Sequence, residues 1–136
     1  MPEGRPSLRF HHLGYACAQI KRELPHYLSL GYYCEGERFV DDALGVAGQF
    51  LIGGGPRLEL LENLPGSTTL DPWLAQGIKC YHLAYEVEDL AQALVWVSTQ
   101  RGRVTVPPTP AVAFGGRRVM FALMRNMQLL EFIEEA

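Results

Sequence analysis

The chain contains no run of 18 apolar residues, which leaves it without the length of hydrocarbon-compatible helix that spans a bilayer. It is also poor in cysteine. Cys17, Cys34 and Cys80 are an odd number at wide spacings, a pattern that suits reduced thiols better than a disulfide framework or a cysteine-rich zinc site. Cys17 and Cys80 fall in strand-like runs and read as small core hydrophobes. Charge of one sign is nowhere concentrated: 12 Lys and Arg against 15 Asp and Glu give a net charge of −3. That excludes the basic footprint of a nucleic-acid binder and the basic amphipathic helix of a membrane-surface protein. The polar, proline-bearing start Met1-Pro2-Glu3-Gly4-Arg5-Pro6 precedes no apolar core of signal-peptide length, and the expectation is a cytoplasmic protein. Gly53-Gly54-Gly55-Pro56 has no following helix and lysine, so it reads as a hairpin turn and not as a phosphate-binding loop.

What is present fits one globular domain over 1–136. A hydrophobic fraction of 48% with 20% charged residues in 136 positions is enough to bury a core and excludes disorder. The organising feature is an internal repeat. Cys80-Tyr81-His82-Leu83-Ala84-Tyr85-Glu86-Val87 repeats Phe10 to Cys17, with His82, Leu83 and Tyr85 answering His12, Leu13 and Tyr15 and Ala84 answering Gly14. Arg57-Leu58-Glu59-Leu60-Leu61-Glu62 is echoed by Leu129-Leu130-Glu131-Phe132-Ile133-Glu134. Each half thus offers one histidine and one glutamate.

Taken in order, Phe10–Cys17 is expected as a strand with His12, Gly14 and Ala16 on one face and the bulkier His11, Leu13 and Tyr15 on the other. Gln19–Gly31 carries Ile20, Leu24, Tyr27 and Leu28 at helical spacing, with Pro25 as a possible kink or start. Strands follow over 32–40, 46–52 and 57–61, with Asp41-Asp42 as a loop. A linker over 65–78 holds one short helix, capped by Asp71 with Pro72 at its first position. The second half repeats the order: a strand over 79–87, a helix over 89–101 with Leu90, Ala93, Leu94 and Val97 buried, a short strand over 103–106, a long loop over 107–116, and strands over 117–123 and 127–134. The modules run over 9–64 and 79–135. Alternation puts Glu59 beside Leu61, and Glu131 between Leu129 and Ile133, on apolar faces. A carboxylate there is costly unless paired, hydrogen-bonded or bound to a metal.

Two imidazoles and two carboxylates form a mixed donor set suited to one divalent Zn, Ni, Co, Mn or Fe ion per chain, with open positions left for substrate oxygens. The spacing supports convergence: 47 residues separate His12 from Glu59 and 49 separate His82 from Glu131. The plainer alternative is that both histidines are satisfied within the strands and both glutamates are solvated strand ends. Duplication alone would preserve packing histidines. It does not explain a carboxylate placed twice on an apolar face.

With the Leu-Gly-Tyr that follows the first helix at Gly31, these motifs resemble the vicinal oxygen chelate superfamily, nearest to methylmalonyl-CoA epimerase and glyoxalase I-like proteins. The resemblance runs from about Phe10 to the end. It implies an α+β fold of two βαβββ modules forming curled mixed sheets around a central cleft, a homodimer, and His12, Glu59, His82 and Glu131 as metal ligands. It further implies a lyase or isomerase in which the metal polarises a small substrate with vicinal oxygens while Glu131 moves the proton on the adjacent carbon. Related epimerases can carry another acid on the third strand of the first half, where Val46–Phe50 here has none. Gln49 offers only hydrogen bonding, so a two-base reaction is in doubt. Gln49, Arg117 and Arg118 are candidate substrate contacts; alternation allows one of the two arginines to meet a ligand and favours neither. Tyr15, Phe50, Trp73 and Tyr85 are candidate pocket aromatics. Two alternatives remain: a metal-free small-molecule binder of the same fold, as in antibiotic resistance, and an extradiol-type dioxygenase.

Overall fold

In a computed structural model, which describes residues 4–136, the element order is β1 (Arg9–Ala16), α1 (Ile20–Leu28), β2 (Tyr33–Asp41), β3 (Val46–Ile52), β4 (Leu58–Asn63), α2 (Asp71–Gln76), β5 (Cys80–Val87), α3 (Leu90–Thr99), β6 (Arg103–Pro110), β7 (Arg118–Leu123) and β8 (Leu129–Glu134). Both halves are therefore βαβββ, as the repeat predicts. Of the amino-terminal stretch, residues 1–3 lie outside the described residues. No described helix is long and apolar enough to cross a membrane.

Backbone contacts divide the described residues into two compact units, 12–81 and 82–136 with 4–11. In the first, the hydrogen-bonded strand order is β2-β3-β4-β1, with β1 parallel to β4 and the other pairs antiparallel. Helix α1 covers one face of this sheet, where Ile20, Tyr32, Leu51, Leu58 and Leu60 are buried with Leu24 and Tyr27 against them. In the second, the order is β5-β8-β7-β6, again with one parallel pair, β5 and β8. Helix α3 covers Val87, Met120, Ala122 and Phe132. In each unit the helix takes one face of the sheet. Strand alternation leaves the opposite face to the histidine and glutamate.

The structure corrects several local expectations. Helix α1 starts at Ile20 and carries Pro25 inside it; the ring already holds a helical φ, and only one backbone bond is forfeited. Asp71 is the first residue of α2 and not its cap, which is Leu70. Its carboxylate instead accepts a hydrogen bond from Asn63 Nδ2 at 2.9 Å. Asp89 does cap α3, accepting from Ala91 N at 2.8 Å. Leu94 is exposed, because Leu90, Ala93 and Val97 make a narrow stripe and Trp96 fills its flank. Strand β6 runs on to Pro110 through two register shifts, where a loop was expected from Pro107. As an edge strand it tolerates prolines that donate no ladder hydrogen bond. Asp41 is the buried end of β2 and accepts from Leu44 N at 3.1 Å, holding the turn into β3.

Candidate metal centre

The two sheets build the same local environment twice. In the first unit Glu59 lies between Gly14, its partner on parallel β1, and Phe50, its partner on antiparallel β3. In the second, Glu131 lies between Ala84 on β5 and Phe121 on β7. Each carboxylate therefore has a small residue on one side, which leaves it room, and an aromatic wall on the other. The histidines stand two residues before the small residues on the same strand face. His12 Nε2 is 3.0 Å from Glu59 Oε1, and His82 Nε2 is 3.2 Å from Glu131 Oε1. All four side chains are buried, with relative exposures of 0% for His12, 1% for His82, 4% for Glu59 and 3% for Glu131. A carboxylate so far from water requires charge-assisted partners or a cation.

Within each unit the histidine offers an imidazole nitrogen and the glutamate a carboxylate oxygen as ligand atoms. Such a buried histidine and glutamate group could hold a metal ion. The donor set fits: two neutral imidazoles and two carboxylates suit borderline divalent ions, whereas a calcium site would be built of oxygen alone. The glutamates are the stronger part of the fit, since a packed sheet face has no need of two acids.

The other candidate residues fall elsewhere. Gln49 pairs with Leu60 in the β3–β4 register, which puts it on the helix-covered face, away from Glu59. Its Nε2 donates to Gly36 O at 3.1 Å and Phe50 O at 3.0 Å, committing the amide to backbone. Arg117 donates from Nη1 to Glu86 Oε2 and Glu134 O, both at 3.1 Å, with its guanidinium over Phe114. Arg118 forms a fork on Glu134 at 3.1 and 2.8 Å. That hydrogen bonding holds the Glu134 carboxyl below its ordinary value. Both arginines thus meet protein acids. Of the aromatic candidates, Tyr15 packs on Tyr27, Trp73 on Tyr81 and Tyr85 on Phe10, while Phe50 borders His12. Phe121, its counterpart beside His82, escaped the sequence reading; the repeat could have found it, one position off the histidine spacing. His11 is half-buried and packs edge-on to Phe114. Burial pushes the Cys17 thiol up to about 11, as for an inert core cysteine, and raises that of Cys80, which is only partly buried and not in the core as expected; Cys34 is exposed.

A family model for the glyoxalase/bleomycin resistance protein/dioxygenase superfamily matches residues 11–121. The chain belongs to this superfamily. The match includes His12, Glu59 and His82 and stops before Glu131. A hypothetical protein from Bacillus halodurans C-125 superposes with a TM-score of 0.80 at 27% identity, covering 96% of each chain. A methylmalonyl-CoA epimerase from Streptomyces coelicolor, solved with 2-nitronate-propionyl-CoA, gives 0.78 at 23% identity over 96% of this chain and 99% of the other. The methylmalonyl-CoA epimerase of Mycobacterium tuberculosis gives 0.76 at 21% identity over 94% and 88%. These likenesses establish the vicinal oxygen chelate fold, the α+β class and the paired βαβββ modules expected from the sequence. No curated protein matches the chain in sequence.

Proposed function

We propose that this superfamily member is a cytoplasmic, homodimeric, metal-dependent isomerase or lyase of the epimerase and glyoxalase type, which moves a proton on a carbon next to a carbonyl in a small substrate with vicinal oxygens. The observation that carries this reading is the doubled, buried histidine–glutamate pair. His12, Glu59, His82 and Glu131 would together hold one divalent ion, which when bound supplies Lewis acidity toward the substrate's oxygens.

The chain's own residues supply the rest. Glu131 is assigned as the base that accepts the carbon-bound proton and returns it. Its burial removes competing water, and His82 at 3.2 Å from Oε1 restrains the carboxylate. Phe50 and Phe121 place an apolar ring beside each glutamate. Strand β3 carries no acid, which favours one base working on one face over a two-base reaction. A metal-free binder would gain nothing from two buried acids and would carry their desolvation cost.

The first substrate to test is methylmalonyl-CoA, which a structural neighbour 23% identical to this chain binds. Protein refilled in turn with Zn, Ni, Co, Mn and Fe(II) is expected to exchange the proton beside the carbonyl for deuterium in D2O, read by NMR. Glu131→Gln is expected to slow the exchange by about 10²–10⁴-fold. Full exchange in that variant would remove Glu131 from the role. Absence of metal from every refilled sample would sink the metalloenzyme reading, and sedimentation of a monomer would remove the dimer.

A further inference from the structure

We propose that Phe50 and Phe121 are positioning residues that set the ring planes of His12 and His82, so that each Nε2 faces its glutamate before any metal arrives. The inference rests on the metal-site reading above and extends it to two residues that no ligand list would include.

The geometry repeats in the two units. The Phe50 ring meets the His12 ring edge-on, with centroids 5.1 Å apart and planes at 83°. Phe121 meets His82 in the same way, at 5.3 Å and 79°. An edge-to-face contact of this kind is directional, because the positive rim of one ring sits against the negative face of the other. An imidazole on a strand otherwise has a broad, nearly two-fold choice of χ2, and half of that choice turns Nε2 away from the carboxylate. Each phenylalanine is also the cross-strand partner of the glutamate in its own unit. One side chain thus borders both members of the pair.

In the first unit the support extends one layer further. Phe39 lies directly over Gly48, where an added Cβ would come within 2.3 Å of the Phe39 ring. The Phe39 ring in turn packs on Phe50 at 5.9 Å. Glycine at position 48 therefore admits the ring that braces Phe50, and Phe50 braces His12. Hydrogen-bonded outer partners that fix ligand orientation are worth about 10–100-fold in metal affinity, and an aromatic brace that sets the same ring plane is expected at the low end of that range.

The test compares Phe50→Leu and Phe121→Leu with Phe132→Leu, which removes a fully buried ring that packs on Trp96 in the core under α3. Calorimetric titration with Zn²⁺ is expected to show about tenfold weaker binding in the first two and wild-type affinity in the third, at comparable loss of thermal stability. Wild-type affinity in Phe50→Leu and Phe121→Leu overturns the proposal, and so does equal weakening in Phe132→Leu. Metal-free protein provides an independent reading by ¹⁵N NMR of the imidazole rings. One tautomer for His12 and His82 in the parent chain, becoming a mixture in the leucine variants, supports positioning; unchanged ring signals overturn it. A parent chain that binds no Zn²⁺ would refute the metal-site reading while this second measurement still decides the role of the phenylalanines.

Discussion

Replacing one buried pair by apolar residues of similar volume, His82→Leu together with Glu131→Leu, separates stability from metal binding because the two are expected to move in opposite directions. The side chains are 1% and 3% exposed, so the metal-free protein carries a desolvation cost for the acid that is offset only in part by His82 at 3.2 Å. Exchanging a buried ionic pair for well-packed apolar groups is typically neutral or stabilising by about 1–4 kcal/mol. At 136 residues the unfolding entropy converts about 0.3 kcal/mol into one degree of melting temperature. The metal-free double variant is therefore expected to melt no lower than the parent and up to about 13 °C higher. The parent in the presence of a divalent ion at a hundred times its dissociation constant gains about 2.7 kcal/mol, a rise of about 9 °C. The variant should show no such rise. Melting followed by circular dichroism, with and without chelator, reads both quantities in one experiment. A variant that keeps the metal-induced rise, or a parent that never shows one, would refute the reasoning.

Two further outcomes test the fold around the site. Gly54→Ala would place a Cβ 2.4 Å from Tyr32 Cδ2, on a ring that is buried and anchored by its hydroxyl donating to Pro56 O at 2.7 Å. Overpacking of this kind costs about 1–3 kcal/mol, a fall of about 3–10 °C in melting temperature, whereas an unobstructed Gly→Ala change would raise it. The sign of the shift therefore decides whether the Tyr32 ring lies against the glycine turn. For the thiols, a group whose ionisation is pushed from 9.0 to about 11 by burial is protonated in both folded and unfolded chains below pH 9. As pH rises from 9 toward 11 only the unfolded chain loses the proton, so Cys17 lowers stability across that window. At pH 8 a disulfide reagent is expected to label the exposed Cys34 quickly and Cys17 only on unfolding; rapid labelling of Cys17 in folded protein would contradict its burial.

Much of the site was legible because strands encode faces with a period of two. Glu59 and Glu131 were conspicuous as acids on apolar faces, and the repeat tied each to a histidine at matched distance. Alternation names two faces without saying which one the helix covers, so it could not place Gln49; the pairing with Leu60 puts it on the helix-covered face. It also left Arg117 and Arg118 undecided, because their partners Glu86 and Glu134 lie on other strands, 31 and 16 residues away. The prolines from Pro107 onward read as loop in sequence, and only the sheet order shows that β6 is an edge strand that accommodates them.

The sequence by itself determined the duplicated βαβββ order, the two histidines and two glutamates, and the class of chemistry their donor atoms allow. These follow from local spacing and from the cost of burying charge. The tertiary structure decided which side chains those four residues rest against. A parallel register places a small residue beside each glutamate, and an antiparallel one places a phenylalanine beside it and edge-on to the histidine. The parallel register joins strands far apart in the chain and the antiparallel one depends on the turn between neighbouring strands, so the alternation within a single strand states neither.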